Sequence, residues 1–245
     1  LGLADFLANH RDLFSGTIKL VFQAAEEIPP GGAKDIMASG LLADVTQIYG
    51  FHIFPGHIAG SVGIASGAIT ASQDIFRISL QGIGSHGATP EKGTDVILAA
   101  GEIVSSMNHI ISRNLSAFDK GVVSFGQIHS GEVFNVIPDK AFLEGNIRTS
   151  DEAVRERIKN RMLQISEGIP SAYGVAAEVS FEAGYSPVVN EAGCAQRALA
   201  AAEKVIGREL IFTNPQKMVS EDFSAYTASL NGCFMILGGG KGQTG

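Results

Sequence analysis

Two adjacent carboxylates, Glu26 and Glu27, interrupt the apolar stretch "VFQAAEEIPPGGA" between Val21 and Ala33. They follow what reads as a strand and precede a Pro-Pro-Gly-Gly turn. Adjacent residues on a strand point to opposite faces. The pair is therefore either a solvated corner or a site in which each acid has its own task. His52, in "GFHIF", stands toward the end of the next strand-like run. Open α/β sheets bind ligands beyond the carboxyl ends of their strands, and all three residues fall at that end. Neutral imidazole and carboxylate are ligands for zinc and related cations. A second carboxylate beside a metal-activated water can act as its general base. The plainer reading, two wet turn acids and a hydrogen-bonded histidine, stays open on spacing alone.

Other polar residues stand in suggestive places. "GIGSHGATP" presents His86 on a loop that its glycines and Ser85 make flexible. It is not a phosphate loop, because no "GK[ST]" follows and no dinucleotide-type βα turn surrounds it. Asn135 in "VFNVIPD" and Arg148 in "GNIRT" are polar groups in apolar, strand-like sequence. A fixed guanidinium can grip a carboxylate through two parallel hydrogen bonds; the alternative for Arg148 is an exposed strand-end charge. Glu221 and Asp222, in "MVSEDFSAY", read locally as acids complementing a helix dipole. His10, His57, His109 and His129 have no partner pattern and read as structural or surface residues. Cys194 and Cys233 lack metal or redox spacing and read as reduced core cysteines.

The elements that must position these residues follow from hydrophobic period. Leu1–Phe14 is helical, with Gly16 as its stop. "TIKLVFQAA" and "TQIYGFHIF" read as buried strands flanking a helix, "GGAKDIMASGLL", with Ile36, Met37 and Leu41 on one side. That is a βαβ unit, hence a parallel sheet. Near Ala71 the style changes. "DIFRISLQG" alternates like a half-exposed strand. Gly93–Arg113 is a helix with the stripe Val96, Ala100, Val104, Met107, Ile111. "GVVSFGQIHSG" and "KAFLEGNIRT" are strands, and Thr149 with Glu152 reads as a capping box for a helix striped by Val154, Ile158, Met162, Ile165 and Ile169. "VAAEVSFEAG" closes a strand, helix, strand, strand, helix, strand order, the split βαβ, ferredoxin-like plan. After Pro187 come a helix (Glu191–Ile206), the strand "ELIFTN", a short helix in "SEDFSAYTA" and the buried strand "GCFMILGGG". The fold class is thus α/β, with a ferredoxin-like α+β domain inserted into a mainly parallel-sheet domain. The expected boundaries are 1–72, 73–184 and 185–245.

Composition excludes several classes. The 245 residues are 45% hydrophobic and 18% charged, with net charge −7, which fits a globular chain and not a disordered one. No Lys/Arg block marks a nucleic-acid surface, and no apolar run reaches the roughly 18 residues of a membrane span. A cytoplasmic location is expected. The chain begins at Leu1 inside a helical pattern and ends in "GGGKGQTG" with no closing element, so it is expected to be part of a longer protein.

Taken in order, "VFQAAEE…GGA…GLL", "GFHIFP", "GIGSHGATP", "NVIPD…GNIRT" and "SEDF" resemble the M20 metallopeptidase family, and within it the amidohydrolases of N-acyl amino acids, such as hippurate and auxin-conjugate hydrolases. Each motif alone is common; the set in fixed order and spacing is specific, and it covers nearly the whole chain. The resemblance implies a metal-binding catalytic domain with an inserted lid that mediates homodimerisation. It implies two divalent cations, zinc or manganese, in a complete site. It makes Glu26 the general base, Glu27 and His52 metal ligands, and His86 the lid histidine that stabilises the oxyanion, often across the dimer. Asn135 and Arg148 match positions that hold the substrate, an N-acyl amino acid or small peptide. Glu221 matches a motif at the active-site wall without a firm role. The family's further ligands, an upstream Cys-x-His-Asp or His-x-Asp segment and a last histidine, are not in this stretch. Two protein ligands alone do not complete a two-metal site, so without them no hydrolysis is expected. Ala24 stands where relatives often have Pro. A catalytically inactive module on the same fold and a dipeptidase or desuccinylase of the same family remain as alternatives.

Overall fold

The computed structural model describes residues 2–240. From the N-terminus come α1 (Gly2–Asn9), α2 (Ala33–Ala38), β1 (Gln47–Phe54), β2 (Val62–Gly63) and β3 (Gly67–Ala68). Then follow β4 (Asp74–Gln81), β5 (Ser85–His86), α3 (Val96–His109), β6 (Gly121–Ser130), β7 (Val136–Ile137), β8 (Lys140–Thr149), α4 (Glu152–Ala172) and β9 (Ala176–Ala183). The remainder holds β10 (Val189–Asn190), α5 (Ala192–Ile206), β11 (Ile211–Phe212), α6 (Ser224–Thr227) and β12 (Asn231–Gly238).

Strands from both ends of the described chain share one sheet, ordered β1-β12-β2-β11. β1 is parallel to β12 and β11 to β2, while β12 and β2 are antiparallel. A second sheet, β6-β8-β4-β9, is antiparallel throughout. Its inner face follows from the alternation in β4, where Asp74, Phe76, Ile78 and Leu80 are buried. Leu143 and Ile147 of β8 lie beside them, and Ile103 and Met107 of α3 with Ile158 and Met162 of α4 close the core. The packing leaves no side-chain space at Gly145, where a Cβ would sit 2.1 Å from the Ser124 carbonyl oxygen and 2.4 Å from the Phe76 ring. The chain enters this sheet at Gln73 and leaves it at Gly184. The two crossings pair, with Gly184 N–H donating to Gln73 O at 2.8 Å and Gln73 N–H to Tyr185 O at 3.0 Å.

The inward-facing start of β4 is a carboxylate. Asp74 has no solvent exposure and accepts from Arg155 Nε at 2.5 Å and Nη2 at 2.7 Å, with Lys159 Nζ at 3.1 Å. Arg155 and Lys159 are four apart on α4, so one helix face delivers both cations.

Several expectations give way to tertiary demands. Thr17–Ala25 forms no strand, and Ile18, Leu20, Val21 and Phe22 are exposed. A strand exists by its ladder, and no described strand pairs with this run. The expected pairing of this run with β1 is therefore absent, and β12 is the neighbour of β1. Nor is β1 buried. Only Ile48 of its residues is, while Phe51 and Ile53 are 54% and 64% exposed on an edge strand. Leu42, not Leu41, is the buried leucine after α2. The capping box does not form. Thr149 completes the ladder with Gly121 and donates its hydroxyl to Lys120 O at 2.7 Å. Asp151 caps α4 instead, accepting from Val154 N–H at 3.0 Å. After α3 the helix continues as a π turn, Ile110–Asn114. Ile110 is fully buried and Ile111 only partly, as Ile103 is buried and Val104 partly, so the buried face follows ordinary helical spacing one residue off the expected stripe at both places. The expected lack of a closing element at 241–245 lies outside the described residues.

Candidate active site

The run ends at Ala25, a non-glycine residue with φ +60°, in the sparsely populated left-handed region. Ile28 N–H bonds back to Ala25 O at 3.2 Å, making Glu26 and Glu27 the central residues of a turn. The two acids are therefore turn residues, and strand alternation does not set their directions. Glu26 is half-buried and Glu27 exposed. The Pro-Pro-Gly-Gly segment then presses against Asp222. Gly31 has φ +75°, and a Cβ there would lie 2.4 Å from Asp222 Oδ2, so glycine is required by both backbone and space.

Asp222 joins the pieces. Its Oδ2 accepts from Ala33 N–H at the start of α2 (3.2 Å) and from Gln23 Nε2 (2.5 Å). Gln23 Oε1 in turn accepts from the Tyr226 hydroxyl. The Tyr185 hydroxyl donates to the backbone oxygen of Glu26 at 2.6 Å. Burial, followed by neighbouring carboxylates, pushes both phenols up to about 12, so each stays a protonated donor at neutral pH.

Glu26, Glu221 and Asp222 bring carboxylate oxygens within 4.8 Å of one another. Burial, then the charges of Glu26 and Asp222, raises Glu221 to about 7. Burial and then Glu27 and Asp222 also raise Glu26, with His52 and the Asp222 N–H pulling the other way. In metal-free protein the folded state thus holds a proton on Glu221 between the ordinary value of 4.5 and about 7. Its contribution to stability is present at low pH and is lost as pH rises through about 7. The urea midpoint in chelator is expected to fall between about pH 5.5 and about pH 8, and Glu221→Gln should flatten that dependence. An unchanged slope in the variant would count against it.

His52 is exposed on β1. Its Nδ1 lies 2.9 Å from Ile53 O and its ring packs on Phe54 at 4.3 Å between centroids. Donation from Nδ1 leaves Nε2 as the free lone pair, the arrangement that suits a metal ligand. Three converging carboxylates, with the exposed Glu27 and the free Nε2 of His52 at hand, suit a divalent cation, whose charge would relieve the mutual repulsion of the acids.

Among the described residues, the other candidates make no direct hydrogen bond to these carboxylates. The glycine-rich loop around His86 is tied down, because β5 pairs with β7 through His86↔Val136. His86 Nδ1 accepts from Ala88 N–H at 3.1 Å, and Asn135 O accepts from Gly87 N–H at 2.8 Å. His86 and Asn135 are thus neighbours, both exposed, and no hydrogen bond among the described residues joins them to the carboxylates. Arg148, half-buried at the end of β8, donates to Met218 O (3.1 Å) and Gln73 Oε1 (3.3 Å). His57 is structural: it stacks on Phe212 at 4.2 Å and lies 3.0 Å from Lys217 Nζ. Both cysteines are free and buried. Sequence reasoning missed Asp222, Gln23, Tyr185 and Tyr226 as site residues. The helix reading of "SED" is partly right, since Glu221 Oε1 accepts Phe223 N–H at 3.4 Å just before α6, and that local role hides the distant one.

Residues 1–245 match the peptidase family M20/M25/M40. N-acetylcysteine deacetylase of Bacillus subtilis is 34% identical over 238 residues, 97% of this chain and 62% of that protein. An N-acyl-L-amino acid amidohydrolase of Geobacillus stearothermophilus is 35% identical over 190 residues, 78% of this chain and 51% of that protein. Among solved structures, a Bacillus subtilis protein described as a dinuclear metal-binding peptidase from the M20 family superposes with a TM-score of 0.81 at 31% identity, covering 97% of this chain and 60% of that one. The chain spans 56–62% of the length of the first curated relatives it matches. With a match along its whole length, the chain belongs to the peptidase family M20/M25/M40.

Proposed function

We propose that the full-length protein hydrolyses the amide bond of N-acyl amino acids with the help of divalent cations, zinc or manganese, two in the complete site. The observation that carries this reading is the convergence of Glu26, Glu221 and Asp222 beside Glu27. It is supported by relatives that are an N-acetylcysteine deacetylase and an N-acyl amino acid amidohydrolase. Glu27 and His52 are the residues that would hold metal in this stretch. A divalent cation, when bound, supplies a Lewis acid that polarises the amide carbonyl and makes water nucleophilic at neutral pH. Glu26 takes a proton from the attacking water on a carboxylate oxygen and returns it to the leaving nitrogen. His86 donates a hydrogen bond to the developing oxyanion, Asn135 orients the acyl amino acid, and Arg148 offers the N–H groups left free by Gln73 and Met218 to the substrate carboxylate.

As the family resemblance implies, we place the exposed His86 at the site of a second copy, in a homodimer formed through the antiparallel sheet. Sedimentation of the full-length protein at micromolar concentration should show a dimer; a monomer alone would sink this arrangement. For the reaction, the full-length protein should release free amino acid from N-acetyl or N-benzoyl amino acids. A chelator should abolish turnover and added zinc or manganese restore it. Absence of turnover across such a panel in metal-replete protein would favour the inactive-module reading.

A further inference from the structure

We propose that Gln73 and Tyr185, the residues at which the chain enters and leaves the antiparallel sheet, are positioning residues that couple the orientation of that sheet to the carboxylate cluster. The kinetic part of this inference rests on the amide-hydrolase reading above.

The two crossings form a short neck, closed by the paired hydrogen bonds between Gln73 and Gly184 and between Gln73 and Tyr185. From this neck the two side chains reach opposite sides of the cluster. Gln73 Oε1 accepts from Ser220 Oγ at 2.8 Å and from Arg148 Nη2 at 3.3 Å, so both lone pairs of the amide oxygen are used. Ser220 directly precedes Glu221, and Arg148 belongs to β8 of the antiparallel sheet. The other arm of Arg148 holds Met218 O. The same 217–220 run is laid along the chain leading into the neck, with Lys217 N–H on Ile69 O at 2.9 Å and Ala71 N–H on Val219 O at 2.8 Å. On the other side, the Tyr185 hydroxyl holds the carbonyl of Glu26. Tyr185 is 6% exposed, so breaking that bond would strand a buried hydroxyl.

Gln73 therefore ties down the Glu221–Asp222 side and Tyr185 the Glu26 side. Any rotation of the antiparallel sheet about its neck must strain or re-aim these bonds, because the same residues form the neck. The amide oxygen of Gln73 and the hydroxyl proton of Tyr185 are both committed to the neighbouring loops. They act through other residues, where an error of about 1 Å is enough to lose much of the rate.

The test uses Tyr185→Phe, Gln73→Met and Gln73→Glu in the full-length protein, with amide hydrogen exchange and steady-state kinetics as separate readouts. Tyr185→Phe should speed exchange at Ile28 and Gly31 about tenfold or more and lower kcat by about tenfold or more, with KM within about twofold. Gln73→Met should do the same at Phe223. Gln73→Glu, which keeps an acceptor for Arg148 and Ser220, should restore both readouts to within about threefold. Exchange in β4 and β8 should not change. Unaltered exchange at the cluster amides, faster exchange spread over both sheets, or a Gln73→Glu variant as impaired as Gln73→Met would each overturn the proposal. A wild-type protein without amidase activity that still shows the local exchange pattern would overturn the hydrolase reading and uphold the coupling.

Discussion

Glu26→Gln in the full-length enzyme is expected to lower kcat by about 10²- to 10⁴-fold while KM and bound metal stay near wild type. The amide matches the carboxylate in shape but does not cycle a proton between water and leaving nitrogen. The turn should persist, because it is held through the backbone: Ile28 N–H on Ala25 O and Tyr185 on Glu26 O. Removing one of several mutually repelling charges should, if anything, stabilise the metal-free fold. The measurements are steady-state rates beside metal content by elemental analysis. A variant retaining more than about a tenth of the wild-type kcat would remove Glu26 from the role of base.

The largest expected effect on stability lies far from that chemistry. Asp74→Ala should destabilise the protein by about 3–5 kcal/mol, the range for breaking a buried pair on one side. The carboxylate is fully buried, and the Arg155 side chain is only 6% and Lys159 16% exposed. Without Asp74, Arg155 keeps, among the described residues, only the exposed Glu152 as an ion-pair partner, and Lys159 keeps a distant contact with Glu156 at 3.8 Å. Replacing all three by apolar residues of similar volume should recover most of the loss, because desolvation offsets much of what a buried ion pair contributes. Urea unfolding would measure both. A single-site loss below about 1 kcal/mol would mean that water reaches the cluster.

How far the sequence could be read depended on whether a signal was local. The alternation in β4 and the helical stripes of α3 and α4 were legible because each element buries one face against a core built within the same segment. Thr17–Ala25 misled for the same reason: its apolar run describes what a strand could bury but says nothing about a ladder partner. Thr149 and Asp151 are both good helix caps by type, and only the ladder between β6 and β8 decides between them. Of the site, Glu26, Glu27 and His52 stood out at strand ends. Asp222 did not, because its partners Gln23 and Ala33 lie 199 and 189 residues away in the chain. Tyr185, 159 residues from Glu26, carried no motif at all.

The pairing of Gln73 with Gly184 and Tyr185 has one more consequence, for how such a protein can change over evolutionary time. A long excursion whose two ends meet looks, to the sheet that hosts it, like a hairpin connection of a few residues. The host bears almost no topological burden from the length or content of what lies between. Such a segment can be lengthened, exchanged or trimmed as a cassette, as long as the new one brings its ends to the same spacing. What a replacement would have to reinvent is Arg148, the one side chain of the cassette seen gripping both the junction and the loop that carries Glu221 and Asp222.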